Sequence, residues 1–394
     1  MRHSIMILVG ACLLAATPVL AEKPVLDCSK ASLTDAVASA SGKDLVITFT
    51  GVCVSPLVIQ TDGLTLEGVG EAVIDGGGHD AITIAGGSRV SLLNVEVRNG
   101  LNGIVADNGA HVSLTGLNVH GNAESGISVR TGSSATLTDV TTAANGLHGL
   151  EVRGGSAATV NGELHATANQ VFGINVNAGS LTMVKATVSA TGNAVGIQIG
   201  TNANAFLSDS NTAINVTSNL STGLTVVSGS QLVSFGGAIN ANGNAGVGVS
   251  VNSKSGLDLD AGAILTSANN GDGLLVQTGS VMSVFNTPQF SGAPGFSTVD
   301  VRSNTRTGVR ILTDARITLS NQARLNALQN GTIGLNADNG AGITLVNSTV
   351  TGNTAGDVVL TFGVRADLRT MIIGTYTCDA TVLVRGTSGI TCPH

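Results

Sequence analysis

The stretch NAESGISVRTGSSATLTDV, residues 122–140, is followed at residues 145–163 by NGLHGLEVRGGSAATVNGE. Both begin with Asn, place a Gly four residues later and continue apolar–polar–apolar. A small-residue turn then leads into a second alternating run. The Asn recurs as Asn99, Asn122, Asn145, Asn169, Asn193, Asn219, Asn244, Asn269, Asn304, Asn330 and Asn353, with one long gap between Asn269 and Asn304. Gly follows at Gly103, Gly126, Gly149, Gly173, Gly196, Gly223, Gly248, Gly273, Gly308 and Gly334. Self-similarity of this kind marks a repeat architecture.

Within the phrase, pairs such as Ile127/Val129, Leu150/Val152, Ile174/Val176 and Ile197/Ile199 fall on one face. Period two describes half-buried strands. No convincing period of 3.6 runs between Asn99 and Thr361. Short strands separated by Gly, Ser and Asn turns make one coil of a parallel β-helix. The expected fold is all-β, a single right-handed solenoid of about 12 coils, each ~4.8 Å from the next. Equivalent positions then stack, and an inward Asn passes hydrogen bonds to the next Asn, as in cross-β ladders. The expectation is that Asn and Gly also supply the left-handed backbone of the corner.

The run TFTGVCVSPLVIQTDGLTLEGVGEAVIDGGG, residues 48–78, followed by the Asn–Gly coils, resembles the opening of secreted right-handed β-helix proteins of the pectate-lyase-like superfamily. The resemblance extends over residues 46–364. It implies the architecture and no particular activity, because that superfamily holds lyases, hydrolases, epimerases and adhesins. Polygalacturonase-type signatures (N-T-D, D-D, G-H-G, R-I-K) are missing, and RIL at Arg310 is a partial echo. No dense acidic cluster of the calcium-dependent lyase kind occurs, so no catalytic residue carries over.

The ends read differently from the repeat. Residues 1–21 have a short basic start, an apolar run and a small-residue close, which is the pattern of a secretory signal peptide. A rival reading acylates Cys12 as a lipoprotein. No later run is long and apolar enough to span a membrane. Export makes disulfides expected, as Cys28–Cys53 and Cys378–Cys392 by proximity. The division expected is 22–62 for an N-terminal cap, 63–364 for the β-helix and 365–394 for a C-terminal cap. Leu33, Ala36, Val37 and Ala40 have helical spacing, and Ser32 with Asp35 resembles a capping box. A helix over 32–40 therefore lids the first coil.

The chain has 53 Gly, 11% charged residues, one Tyr and no Trp, with a formal net charge of −7. That balance argues against nucleic acid as a partner. Scarce Tyr and Trp weaken the case for a polysaccharide enzyme and suit a passive rod. No P-loop, zinc motif or complete dinucleotide fingerprint is present, and no metal or cofactor is expected.

Aligning the coils places Val105, Ser128, Glu151, Asn175, Gln198, Thr225, Ser250, Leu275, Arg310 and Asn336 in one outward column. A second column holds Asp107, Arg130, Arg153 and Asn177. Charge is concentrated here, with His120, Glu124 and His148 on the turns leading in. Arg forks match carboxylates, and Glu151 or His148 is placed to act as a base. The competing reading is a solvated ion-pair ladder of little energetic value. The candidates for catalysis are Arg130, His148, Glu151 and Arg153; Asp107, His120 and Glu124 are candidates for binding. A second candidate region is the insertion FNTPQFSGAPGFSTVDVRSNTRTGVR, residues 285–310. Its Phe290, Phe296, Arg302, Arg306 and Arg310 either bind a sugar or pack the loop onto the rod. The expectation is a monomeric, extracytoplasmic, non-catalytic rod that contacts polysaccharide or cell-surface glycan. The alternative is a lyase or epimerase acting on acidic glycans near residues 105–153.

Overall fold

A computed structural model describes residues 24–42, 44–54, 56–86, 88–287, 297–320, 322–386 and 389–393. The expected signal peptide over residues 1–21, Cys12, Phe290 and Phe296 lie outside the described residues. Among the described residues the chain winds into a parallel β-solenoid of about 14 turns, two more than the alternation implies, and its short strands form one 14-stranded sheet. The remaining wall is a bent 25-stranded sheet. Among the described residues no helix is long and apolar enough to cross a membrane.

One rung shows why this sequence coils. Ile127–Val129 buries Ile127 and Val129, Ser134–Ala143 buries Ala135, Leu137 and Val140, and the next rung repeats the pattern directly above. Ile127 pairs with Leu150, which pairs with Ile174 and then Ile197. The stacked aliphatic columns form one continuous core along the rod. At the start, the helix Leu33–Ser39 sits over the first coil and buries Leu33 and Val37. Its Ser32 side chain accepts from the Asp35 backbone N–H, which caps a helix terminus that would otherwise be bare. Both disulfides join the expected partners, Cys28–Cys53 and Cys378–Cys392.

The asparagine ladder is present from Asn122 to Asn353. In each step the upper Asn Oδ1 accepts both the backbone N–H and the Nδ2 of the Asn below, as between Asn145 and Asn169 at 3.1 and 2.9 Å. Most of these Nδ2 groups also donate to a carbonyl of the strand one rung below, as Asn193 does to Ala166 at 2.9 Å. Asp357 closes the stack by accepting from Asn353 N and Nδ2.

Two details of the corner differ from expectation. Asn99 is not a rung: it is exposed, has φ 55° and donates to Asp75, while Gly100 takes the ladder position and donates to Asn122 Oδ1. The left-handed residue is also neither the ladder Asn nor the following Gly. It is the residue before the Asn, such as Gly121, Ala144, Ala168 or Ser218. The Gly is required for room. A Cβ on Gly126 would lie 2.8 Å from Asn145 Nδ2, and one on Gly173 would lie 2.7 Å from Asn193 Nδ2.

Candidate functional site

The charged rungs sit where Ile104–Ala106, Ile127–Val129, His148–Arg153 and Phe172–Asn177 stack in the 14-stranded sheet. Parallel register aligns Val105, Ser128, Glu151, Asn175 and Gln198 on the outer face. Although they face outward, Val105, Ser128 and Asn175 are buried, because the side chains of this wall cover one another.

Arg130 and Arg153 are neighbours one rung apart, which is about 5 Å, and each holds a carboxylate. Arg130 Nε donates to Asp107 Oδ2 at 3.0 Å, and Arg153 Nε lies 3.3 Å from Glu151 Oε2. That same Glu151 oxygen accepts from Ser128 Oγ at 3.0 Å. Burial alone would raise the Asp107 carboxyl, but hydrogen bonds from Thr131 and Arg130 outweigh it, and the acid is held below its ordinary range. A depression of about 410 Å³ opens beside the arginines, lined by Arg130, Thr131, Arg153, Gly154, Asn177 and Ala178.

His148 begins its strand and packs against Phe172 with ring centroids 5.2 Å apart. Burial pushes its pKa down; Glu151 partly offsets this and Arg153 adds to it, so the imidazole is neutral at neutral pH. Its Nδ1 is buried with no partner among the described residues, and its Nε2 is 3.5 Å from Asn175 Nδ2. A neutral imidazole beside a carboxylate and an arginine has the chemistry of a general base.

The other candidates lie apart from this cluster. His120 belongs to the 25-stranded sheet, where its Nε2 is 3.2 Å from Glu96, which also holds Arg98. Glu124 accepts from Asn102 Nδ2 at 3.2 Å, and Asn102 donates to Asp80 as well. Of the insertion's arginines, Arg302 pairs with Asp300, Arg310 lies 3.6 Å from the buried Asp272, and Arg306 sits on an exposed turn. Alternation alone did not find a second ladder at the next corner. There Ser230, Ser255 and Ser280 are buried, and each hydroxyl accepts a backbone N–H from the rung below. Evenly spaced serines after each turn are the signal for it. Among the described residues, no group of three or more His, Cys, Asp or Glu is placed to hold a metal.

The family described as the right handed beta helix region matches residues 60–213 and again 102–264, which together span a little over half the chain. The chain belongs to the right handed beta helix family. No curated protein matches this β-helix chain. Among solved structures, the periplasmic alginate epimerase AlgG is similar at 11% identity and TM-score 0.46, covering 93% of this chain and 84% of that one. The Agl-KA catalytic domain is similar at 13% identity and TM-score 0.31, covering 95% of this chain and 69% of that one. These likenesses are too distant to speak for activity or substrate.

Proposed function

We propose that this protein is a non-catalytic extracytoplasmic rod that holds acidic glycans on its charged rungs. The observation that carries the reading is the arginine pair. Each guanidinium meets its carboxylate through Nε, and neither arginine's terminal nitrogens have a partner among the described residues. Two such forks a rung apart, beside a depression that Gly154 helps to line, match the planar carboxylates of successive sugar acids. Two disulfides support an oxidising compartment. Titrating a fluorescent oligogalacturonate tests the reading. Replacing both Arg130 and Arg153 with Ala is expected to weaken binding about tenfold, the size of about 1.4 kcal/mol. Equal binding by wild type and double variant would remove this site.

His148 favours a second reading, in which the same rungs abstract the proton next to a uronate carboxylate, as a lyase or epimerase does. Neutral His148 would take the proton, and Arg153 would balance the charge that develops on the carboxylate. Unsaturated sugar ends, seen by ultraviolet absorbance, would report elimination. Deuterium uptake at C5, seen by NMR, would report epimerisation. A wild-type chain that does neither on a panel of uronate polymers leaves binding alone.

A further inference from the structure

A second hollow lies six rungs further along, about 30 Å from Arg153, and on the other sheet. It holds about 850 Å³ and is lined by Arg316, Thr318, Gly342, Thr344, Arg365 and Arg385, and by the carboxylates of Asp314 and Asp367. Register explains its shape. Arg316 pairs with Gly342, which pairs with Arg365, so a glycine rung separates two arginines in one column. The missing side chain makes the floor of the hollow. The Arg316 stem leans across it, 3.0 Å from where a Gly342 Cβ would sit. One rung beyond Arg365 and two residues along, Arg385 stands opposite Asp367. Thr318 and Thr344 form the neighbouring outward column.

Seven other arginines are held in ion pairs: Arg89, Arg98, Arg130, Arg153, Arg302, Arg310 and Arg369. Arg316, Arg365 and Arg385 are exposed and have no ion pair among the described residues, and the nearby Asp367 is taken by Arg369 at 2.6 Å. Three guanidinium groups against the two carboxylates of Asp314 and Asp367 leave the concavity with a positive balance, on a chain whose net charge is −7. Arg316 and Arg365 are two rungs apart, about 10 Å. That spacing suits an extended chain with recurring negative groups better than a single small anion. The threonine hydroxyls offer partners for sugar hydroxyls. None of the lining residues is aromatic, so the hollow has no platform on which bases would stack.

We propose that this hollow is a separate binding site for an acidic polysaccharide, with Arg316 and Arg365 holding successive carboxylate or sulfate groups and Arg385 a third. It is independent of the Arg130–Arg153 reading, because it lies on a different sheet and uses different residues. The test titrates fluorescent oligogalacturonate and dextran sulfate into the full chain, the Arg316→Ala/Arg365→Ala variant and the Arg130→Ala/Arg153→Ala variant. Oligothymidylate and polyglutamate serve as competitors, and thermal melting checks folding. Binding that the Arg316/Arg365 variant weakens about tenfold, and that survives in the Arg130/Arg153 variant, is the expected result. Preference for oligogalacturonate or for dextran sulfate then identifies the anionic group. Unchanged binding in the Arg316/Arg365 variant, or equal competition by oligothymidylate or polyglutamate, would overturn the proposal. Loss confined to the Arg130/Arg153 variant would overturn it too, while upholding the other site.

Discussion

Asn and Gly recur for linked reasons at the scale of single residues. The Asn amide joins rungs through its oxygen and nitrogen, and the Gly after it leaves room for the amide of the rung above. A Cβ on Gly149 would lie 2.8 Å from Asn169 Nδ2 and 2.6 Å from the Gly173 carbonyl, with strand on both sides. Gly149→Ala is expected to cost about 3 kcal/mol through overpacking. At Gly155, φ is 75° and nothing lies within 4 Å, so Gly155→Ala is expected to cost about 1 kcal/mol of backbone strain. Urea midpoints of the two variants compare the costs, and equal shifts would contradict the steric account. Asp357 is the ladder's terminal acceptor. Burial would raise its carboxyl, but hydrogen bonds from Asn353 and Thr375 prevail and hold it below the usual range. A depressed folded pKa means that its contribution is complete above the unfolded value of about 3.9 and is lost as pH falls through the lower folded value. Asp357→Ala should therefore lower the melting temperature at neutral pH and flatten the fall in stability on acidification. An acid limb that stays as steep as in wild type would mean that other carboxylates govern it.

At the scale of elements, the two ends are closed by different means. The first coil is lidded by the helix Leu33–Ser39 and tied by Cys28–Cys53, which closes 25 residues. Replacing both cysteines with Ser is expected to cost about 3 kcal/mol by the loop-entropy argument. It should also speed hydrogen exchange in the first strands while the central coils stay protected, since each rung depends mainly on its neighbours. Uniform loss of protection would show that the rod unfolds as one unit. Helix, disulfides and coil alternation were all legible in the sequence, because each rests on local spacing. The register of Asn99 was not. Its Asn–Gly phrase looks like the others, and only pairing with the rung above reveals that Gly100 occupies the ladder. His148 was legible as a candidate base, but its neutrality was not, because that comes from burial beside Phe172 on the next rung.

The whole molecule is a rod of about 14 turns, close to 65 Å long at the usual strand spacing. Stacked rungs leave strand edges at each end, and a bare edge recruits other chains. At the C-terminal end, Val382 and Cys392 are buried over the last coil. A chain truncated after Val364 is expected to form oligomers by light scattering, whereas the full chain stays monomeric. A monomeric truncation would mean that the final strands are not needed to block association. The period, alternation and Asn–Gly spacing were enough to determine a β-helix with stacked asparagines, because a solenoid turns local pattern directly into contacts between adjacent rungs. What only the tertiary structure decided is which charges meet. Arg98 finds Asp75 across 23 residues, and Arg316 and Arg365 flank Gly342 without an ion pair among the described residues. Those outcomes depend on register to the single residue, on the burial of outward side chains and on the space left by a glycine. Each of these is set by the neighbouring coils.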